Sequence, residues 1–190
     1  MSTATASPIT PEHLWTIEEY AARPPSGKPE ELVRGRIVTL CQPTRRHGQI
    51  CYKTVRVLGD FVEERDLGHV LSNDSAVITR RDPDTVRGAD VAFYSYARLP
   101  KGPLPATYGP EVPELVIEVL SPHDRLPRVL TKAAEYLEAG VLIVVVLDDE
   151  RRAAHLFGAD GTIRLFNAED DLVLTGVLEG FRCRVGRFFE

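Results

Sequence analysis

The sequence has few cysteines and no long apolar run, and both absences narrow the class of protein. Its three cysteines, Cys41, Cys51 and Cys183, are too scattered for a zinc knuckle or a CxxC redox pair. Because Met1 to Pro8 shows no signal-peptide pattern, we expect reduced thiols, buried as small apolar side chains. The longest apolar run, Val141 to Leu147, suits a buried strand and falls far short of the roughly 18 residues that cross a membrane. We therefore expect a cytoplasmic protein.

An excess of positive charge is also missing. The formal net charge is -5, which counts against non-specific nucleic-acid binding by bulk charge. A nuclease stays compatible with this total, because clustered carboxylates that hold divalent cations become an electropositive site once metal is bound.

Short motifs that are typical of several other enzyme classes do not occur. We find no G-x-x-x-x-G-K-[ST], no G-x-G-x-x-G, no H-E-x-x-H and no G-x-S-x-G. Phosphate-loop, dinucleotide-binding and hydrolase-elbow interpretations are therefore weak.

The sequence does contain enough apolar residues for one folded domain. Of 190 residues, 43% are hydrophobic and 27% are charged, a balance that allows a buried core and a wettable surface. We expect residues 1–15 to form a flexible N-terminus and residues 16–190 to form a single domain.

The order of predicted elements indicates an α/β fold. A capping box at Thr16-Ile17-Glu18-Glu19 begins a short helix, and Glu31 to Val38 reads as a β-hairpin that turns at Arg34-Gly35. Because a strand, a helix and a strand follow one another from Glu114 to Leu147, those two strands should be parallel. This order predicts an αβββαβ core with a mixed sheet, an extra N-terminal hairpin and a C-terminal β meander. The remaining predicted elements are a helix at Thr44–Arg65, strands at His69–Leu71, Ala76–Thr79 and Gly88–Tyr94, a loop at Ser95–Pro113, a helix at Arg128–Ala139, and β segments at Ala153–Phe157, Thr162–Leu165 and Phe181–Val185.

Two carboxylates lie within apolar strands and are candidate metal ligands. Glu118 is surrounded by residues that belong in a sheet interior, where an unpaired carboxylate costs several kcal/mol and needs a cation, a donor or a proton. Asp90 opens the apolar strand that continues with Val91. Oxygen ligands alone favour Mg²⁺ or Mn²⁺ over zinc. The alternatives are a strand-end Glu paired with an arginine, and an Asp that only caps a turn.

Other candidate residues flank these strands. Lys132 follows on the next helix, where an ammonium could steady an attacking water near the metal. Most helix lysines are solvated, and that alternative stays open. Glu31 could supply a further carboxylate, although Glu30 is its equal by composition. His47 follows Arg45 and Arg46 at a helix start that suits a phosphate, although such a histidine is more often a surface or capping residue.

Several stretches together match one known family. They resemble the Uma-two family, bacterial proteins described as restriction-endonuclease-like, from about Thr16 to Phe157, and more loosely to the C-terminus. The matching residues are Glu31–Gly35, His47, Asp90–Phe93, Pro113–Pro122, Asp124-Arg125, Lys132, Tyr136, Ala139–Val141 and Asp148.

The resemblance implies a PD-(D/E)XK nuclease core in which an Asp and a Glu bind Mg²⁺ and a lysine assists the attacking water. Asp90 and Glu118 take the acidic positions, and Glu31 takes an additional one. Leu120 stands where the lysine is expected two residues after the Glu. Lys132 instead suits a variant in which that lysine has moved to the following helix. Three further departures from the family pattern are Ala89 in place of a proline, Val144-Val145 in place of an aromatic pair, and the replacement, near Arg128, of an acidic residue that commonly precedes the lysine.

The leading hypothesis is metal-dependent hydrolysis of phosphodiester bonds, with DNA as the expected partner. Asp90, Glu118 and the Val119 carbonyl would hold Mg²⁺ or Mn²⁺. Arg45, Arg46, His47, Arg125 and Arg128 would contact the nucleic acid. A homodimer would suit cutting of both strands. The alternative is a catalytically inactive module on the same fold that acts through protein or nucleic-acid binding.

Overall fold

The computed structural model describes residues 13–121 and 126–190. Its helices are α1 (Ile17–Ala21), α2 (Arg45–Glu64) and α3 (Leu126–Glu138), with a short 3₁₀ helix at Val185–Phe189. Its strands are β1 (Glu30–Val33), β2 (Arg36–Thr39), β3 (Gly68–Arg80), β4 (Thr85–Ser95), β5 (Leu115–Val119), β6 (Ile143–Asp148), β7 (Ala153–Gly158), β8 (Ile163–Phe166), β9 (Asp171–Leu174) and β10 (Leu178–Arg184).

The N-terminal elements form as their local sequence signals predict. The Glu19 N–H donates to Oγ1 of Thr16, and the Thr16 N–H donates to Oε2 of Glu19, which completes the capping box. The β1–β2 hairpin turns through Arg34 and Gly35, whose φ angles are 50° and 73°. Two consecutive positive φ values define the tight turn whose twist matches an antiparallel pair of strands.

The main sheet has eight strands and contains the predicted core. Its order is β2-β1-β4-β5-β6-β7-β8, with β3 paired to β4. Strands β5 and β6, which precede and follow α3 along the chain, are parallel neighbours in the sheet. The other strand pairs are antiparallel. The sequence α2, β3, β4, β5, α3, β6 is the αβββαβ order, so this prediction is confirmed.

Strand β3 is longer than predicted. The sequence suggested two separate pieces, but Gly68 to Arg80 is one strand that pairs with β4. Its register shifts between Ser72 and Ser75, where Asn73 and Asp74 adopt φ angles of 66° and 55°. Asn and Asp tolerate this left-handed conformation better than other side chains, so the strand bulges there instead of ending.

Helices α2 and α3 cover opposite faces of the sheet. Ile50, Leu58 and Val62 of α2 pack with Ile117 and Val145 in one buried cluster. Ala133 and Tyr136 of α3 pack with Val116 and Val144 in another. Alternate residues of β5 therefore point to different helices, and Glu118 shares the face of Val116 that meets α3.

The C-terminal β segments divide between two sheets, which differs from the single meander that we expected. Strands β7 and β8 extend the main sheet, whereas β9 and β10 form a separate two-stranded sheet. Leu172, Leu174 and Phe181 of this small sheet are buried in the same cluster as α2. Strand β9 escaped prediction because its four residues are too few to show a clear alternating pattern.

Two further expectations concern the cysteines and the membrane. Cys183 is buried as predicted, but Cys51 is half-buried and Cys41 is exposed, so the prediction of buried thiols is wrong for Cys41. Within residues 13–121 and 126–190, no helix combines the length and apolar character that crossing a membrane requires.

Candidate active site

A polar cleft opens where β4 and β5 meet the first turns of α2 and α3. It has a volume of about 160 Å³. Seven of the residues proposed from sequence line it: Glu31, His47, Asp90, Glu118, Val119, Arg128 and Lys132. The structure thus brings together residues that are up to 101 positions apart in the chain (132 − 31). Arg45 and Arg46 are not among the lining residues, and Arg125 lies outside the described residues.

Asp90 and Glu118 come from adjacent antiparallel strands. Val91 pairs with Ile117, and continuing that register by one residue places Asp90 beside Glu118. Both residues are buried, at 8% and 7% exposed. The backbone N–H of Val119 donates to Oδ2 of Asp90 at 2.7 Å, which fixes the orientation of that carboxylate.

Lys132 reaches the two acidic strands from α3. Its ammonium donates to Oε2 of Glu118 at 2.8 Å and to the Gly88 carbonyl at 2.7 Å. Its Nζ also lies 3.2 Å from Oε1 of Glu31. Val129, Ala133 and Tyr136 are buried on α3, and this stripe at helical spacing turns the neighbouring Lys132 inward.

Burial and charge shift the protonation equilibria of this group. Burial, with a contribution from Asp90, raises the pKa of Glu118 to about 8, although Lys132 opposes the shift. Burial alone would lower the pKa of Lys132, but Glu118, Glu31 and Asp90 outweigh it and raise that pKa. Burial and the neighbouring Glu118 also raise the pKa of Tyr136, whose hydroxyl lies 3.0 Å from Oε1 of Glu118.

Glu31 is the most buried carboxylate of the cleft and belongs to a network of ion pairs. Its Oε2 accepts from Nη1 of Arg87 at 2.8 Å, and its Oε1 accepts from the Gly88 N–H at 3.1 Å. Arg87 also donates to Oε2 of Glu135 on α3 at 2.6 Å. Burial opposes ionisation of Glu31, but Lys132 and Arg87 outweigh that effect and lower its pKa.

Arg87 is a site residue that we did not identify from the sequence. It is only 7% exposed and joins β4 to β1 and α3. The signal was present, because Arg87 is a charged residue within the apolar strand that carries Asp90. The argument applied to Glu118, that a buried charge needs a partner, applies equally to this residue.

His47 lies against Asp90 at the start of α2. Its Nε2 is 3.1 Å from Oδ1 of Asp90, and its Nδ1 is 3.2 Å from Oγ of Ser121. The hydrogen bond to Asp90, followed by one to Cys51, raises the pKa of His47 to about 10. The protonated imidazole of His47 therefore compensates the negative charge of Asp90 when no metal is bound.

Asp74 adds a carboxylate that the sequence did not reveal. The bulge in β3 brings it to the cleft opposite β4, close enough to Gly88 that a Cβ there would lie 2.9 Å from Cβ of Asp74. Asp74 is exposed, and the partial desolvation that it meets beside the cleft, together with the neighbouring Asp90, raises its pKa. Only the bulge brings it here, and a bulge has no reliable signature in a single sequence.

The arginines proposed for nucleic-acid binding lie in different surroundings. Arg46 donates to both carboxylate oxygens of Asp149, at 2.8 and 2.6 Å, and to the Phe189 carbonyl at 2.8 Å. These bonds tie α2 to the β6–β7 turn and to the C-terminus. Arg45 is exposed at the start of α2, and Arg128 is exposed at the rim of the cleft.

The donor atoms at the strand ends match a hard divalent cation. Asp90 and Glu118 offer carboxylate oxygens, and Val119, which also lines the cleft, offers a carbonyl. Burial and the nearby Asp90 raise the pKa of Glu118, so a cation placed between these oxygens would relieve an existing electrostatic cost. The residues present therefore fit Mg²⁺ or Mn²⁺.

The fold defines the class of protein, and comparison with known proteins then identifies the family. An αβββαβ core with a mixed sheet between two helices is the restriction-endonuclease-like fold. The chain belongs to the Uma2 (Uma-two) family, described as "Putative restriction endonuclease", which it matches over residues 17–186. This finding confirms the resemblance seen in the sequence.

A solved structure has the same fold at low sequence identity. A crystal structure titled as a "putative nuclease belonging to DUF820" from Anabaena variabilis superposes with a TM-score of 0.81 at 16% identity. The match covers 92% of this chain and 97% of the other. A comparison with curated protein sequences gives no match.

Proposed function

We propose that the protein is a metal-dependent endonuclease that hydrolyses phosphodiester bonds of DNA. The observation that carries the proposal is the convergence of Asp90, Glu118 and Lys132 in one cleft. Family membership and the structural neighbour support the same reaction class.

Each residue has a role in the proposed reaction that follows from its chemistry. Asp90, Glu118 and the Val119 carbonyl hold Mg²⁺ or Mn²⁺, which supplies charge stabilisation at the scissile phosphate and activation of water. The Val119 N–H holds Asp90 in a fixed orientation. Lys132 orients the attacking water from the α3 side. Glu31 and Arg87 keep the Lys132 ammonium in position.

The nucleic acid approaches from the open side of the cleft. Arg128 at the rim and Arg45 at the start of α2 supply positive charge for phosphate contacts. Arg46 and Arg125 stay as predictions, and Arg46 would have to exchange its bonds with Asp149 to contact a phosphate. Cutting both strands calls for two cleft copies, for which a homodimer is the simplest arrangement.

One observation favours the catalytically inactive alternative. The Lys132 ammonium has three hydrogens, and Gly88, Glu118 and Glu31 offer three acceptors within 3.2 Å. A lysine held in this way serves as an internal counter-ion, and it must release one bond before it can orient water. A test of cleavage separates the two functions.

Nicking of supercoiled plasmid in Mg²⁺ or Mn²⁺ tests the proposal. We expect the wild type to convert supercoiled plasmid to the open-circular form, and chelation by EDTA to stop the conversion. Glu118→Gln and Asp90→Asn should each slow nicking by about a hundredfold or more, because each removes a charged metal ligand.

Glu114→Gln is the matched control. Glu114 is also buried and immediately precedes β5, but its carboxylate bonds to Ser95 and contacts Arg98 away from the cleft. Wild-type rates in Glu114→Gln and loss in Glu118→Gln are the expected pattern. Equal nicking by wild type and Glu118→Gln rejects the proposed site, and a wild type without activity favours the inactive module.

A further inference from the structure

Nitrogen, sulfur and oxygen donors meet beside the proposed magnesium site. His47 and Cys51 are four residues apart on α2, so their side chains project from the same face of that helix. A ring nitrogen of His47, the Cys51 sulfur and a carboxylate oxygen of Asp90 all lie within 4.8 Å of one another. We infer that these three side chains form a binding site for a thiophilic divalent cation such as Zn²⁺ or Co²⁺.

The spacing of the donors suits a tetrahedral cation. Oxygen and nitrogen ligands lie about 2.0–2.1 Å from zinc, which at tetrahedral angles separates two such ligands by about 3.3 Å. Nε2 of His47 and Oδ1 of Asp90 are 3.1 Å apart. This separation is close to that of two ligands of one tetrahedral cation, and the Cys51 sulfur lies within 4.8 Å of a ring nitrogen of His47 and a carboxylate oxygen of Asp90.

The atoms of these ligands that face away from the cation already have partners. Nδ1 of His47 lies 3.2 Å from Oγ of Ser121, and Oδ2 of Asp90 accepts from the Val119 N–H at 2.7 Å. Metal-bound histidines almost always make such a bond through the second ring nitrogen, which fixes the tautomer and the ring plane. Ser121 is thus a positioning residue for His47.

The donor set also separates this site from the magnesium site. A thiolate prefers zinc and other borderline or soft ions, whereas Mg²⁺ takes oxygen ligands. The two sites share Asp90 but differ in their other ligands. Three protein ligands leave one tetrahedral position open, and His47 and Asp90 both line the cleft from which water can reach that position.

Cobalt absorption tests the site without nucleic acid or activity. Co²⁺ is added to the metal-free, reduced protein, and the near-ultraviolet sulfur-to-cobalt charge-transfer band is followed. We expect the band to saturate at one equivalent and to disappear when Zn²⁺ displaces the cobalt. Cys51→Ala should abolish the band, and Ser121→Ala should weaken cobalt binding by about tenfold.

The other two cysteines provide controls. Cys41 lines the cleft and is the competing thiol, whereas Cys183 is buried in the core. Cys41→Ser and Cys183→Ala should keep the band. A wild type without the band, a band that survives in Cys51→Ala, or a band lost in Cys41→Ser each overturns the inference. If circular dichroism shows that Cys51→Ala is unfolded, His47→Gln replaces it in the test. This variant keeps every thiol, and it must weaken cobalt binding. Because no cleavage is measured, this result stands apart from the outcome of the plasmid assay.

Discussion

At the scale of single residues, Glu118 links folding stability to pH. Its pKa is about 8 in the folded protein, mainly because it is buried, against a usual value of 4.5. Between these values the folded protein keeps a proton that the unfolded chain releases. The free energy of unfolding should therefore fall as pH rises through this window.

Glu118→Gln tests this dependence, because an amide keeps the shape of the side chain and cannot titrate. We expect the decline in the free energy of unfolding of the metal-free protein between about pH 5 and about pH 8 to be shallower in this variant than in the wild type. Urea unfolding in EDTA measures it. Glu114→Gln, which also replaces a buried carboxyl by an amide but outside the cleft, is measured alongside it. Identical slopes in Glu118→Gln and wild type would falsify the assignment of this proton to Glu118.

At the scale of secondary-structure elements, the first turn of α2 sets the position of His47. Thr44 caps this helix, and its Oγ1 accepts from the His47 N–H at 3.2 Å. Thr44→Ala should lower the free energy of unfolding by about 1 kcal/mol, the usual effect of losing such a cap. Because the frayed turn carries His47, the NMR signals of that imidazole should also move.

The chain offers a matched control in a second threonine cap. Thr16 caps α1 in the same way, with its Oγ1 accepting from the Glu19 N–H at 3.1 Å. Thr16→Ala should reduce stability and leave the His47 signals where they are. If Thr44→Ala also leaves them unchanged, the sheet alone holds His47 and the helix cap does not.

The secondary-structure elements also show which parts of the candidate site could be predicted from the sequence. The location of Glu118 and Lys132 in the cleft could be predicted, because a carboxylate in an apolar strand and a lysine on the following helix are patterns within a short stretch. Asp74 could not, because a bulge in β3 brings it to the cleft. Arg46 illustrates the same limit, since its partner Asp149 is 103 residues away and only the fold joins them. The four-residue spacing of His47 and Cys51 could be read from the sequence. Their third partner, Asp90, lies on the sheet, and only the fold brings it close to them.

At the scale of the whole molecule, a net charge of -5 predicts that the proposed binding of DNA depends on the cation. Glu31, Asp74, Asp90 and Glu118 line the cleft, and phosphates approaching it meet these carboxylates unless a divalent ion is present. We therefore expect no measurable binding to duplex DNA in EDTA. Binding should appear in Ca²⁺, an oxygen-preferring ion that can occupy the proposed Mg²⁺ site.

The salt dependence of that binding identifies the surface that carries it. Each phosphate contact steepens the fall of log affinity with log salt, so Arg128→Ala should reduce the slope in Ca²⁺ by about 1. Arg182→Ala is the control, because Arg182 is exposed on β10 and pairs with Asp171 there, away from the cleft. Fluorescence anisotropy over a salt series measures both slopes. Binding that is equally strong in EDTA, or a slope that changes with Arg182 and not with Arg128, places the nucleic acid on another face of the protein.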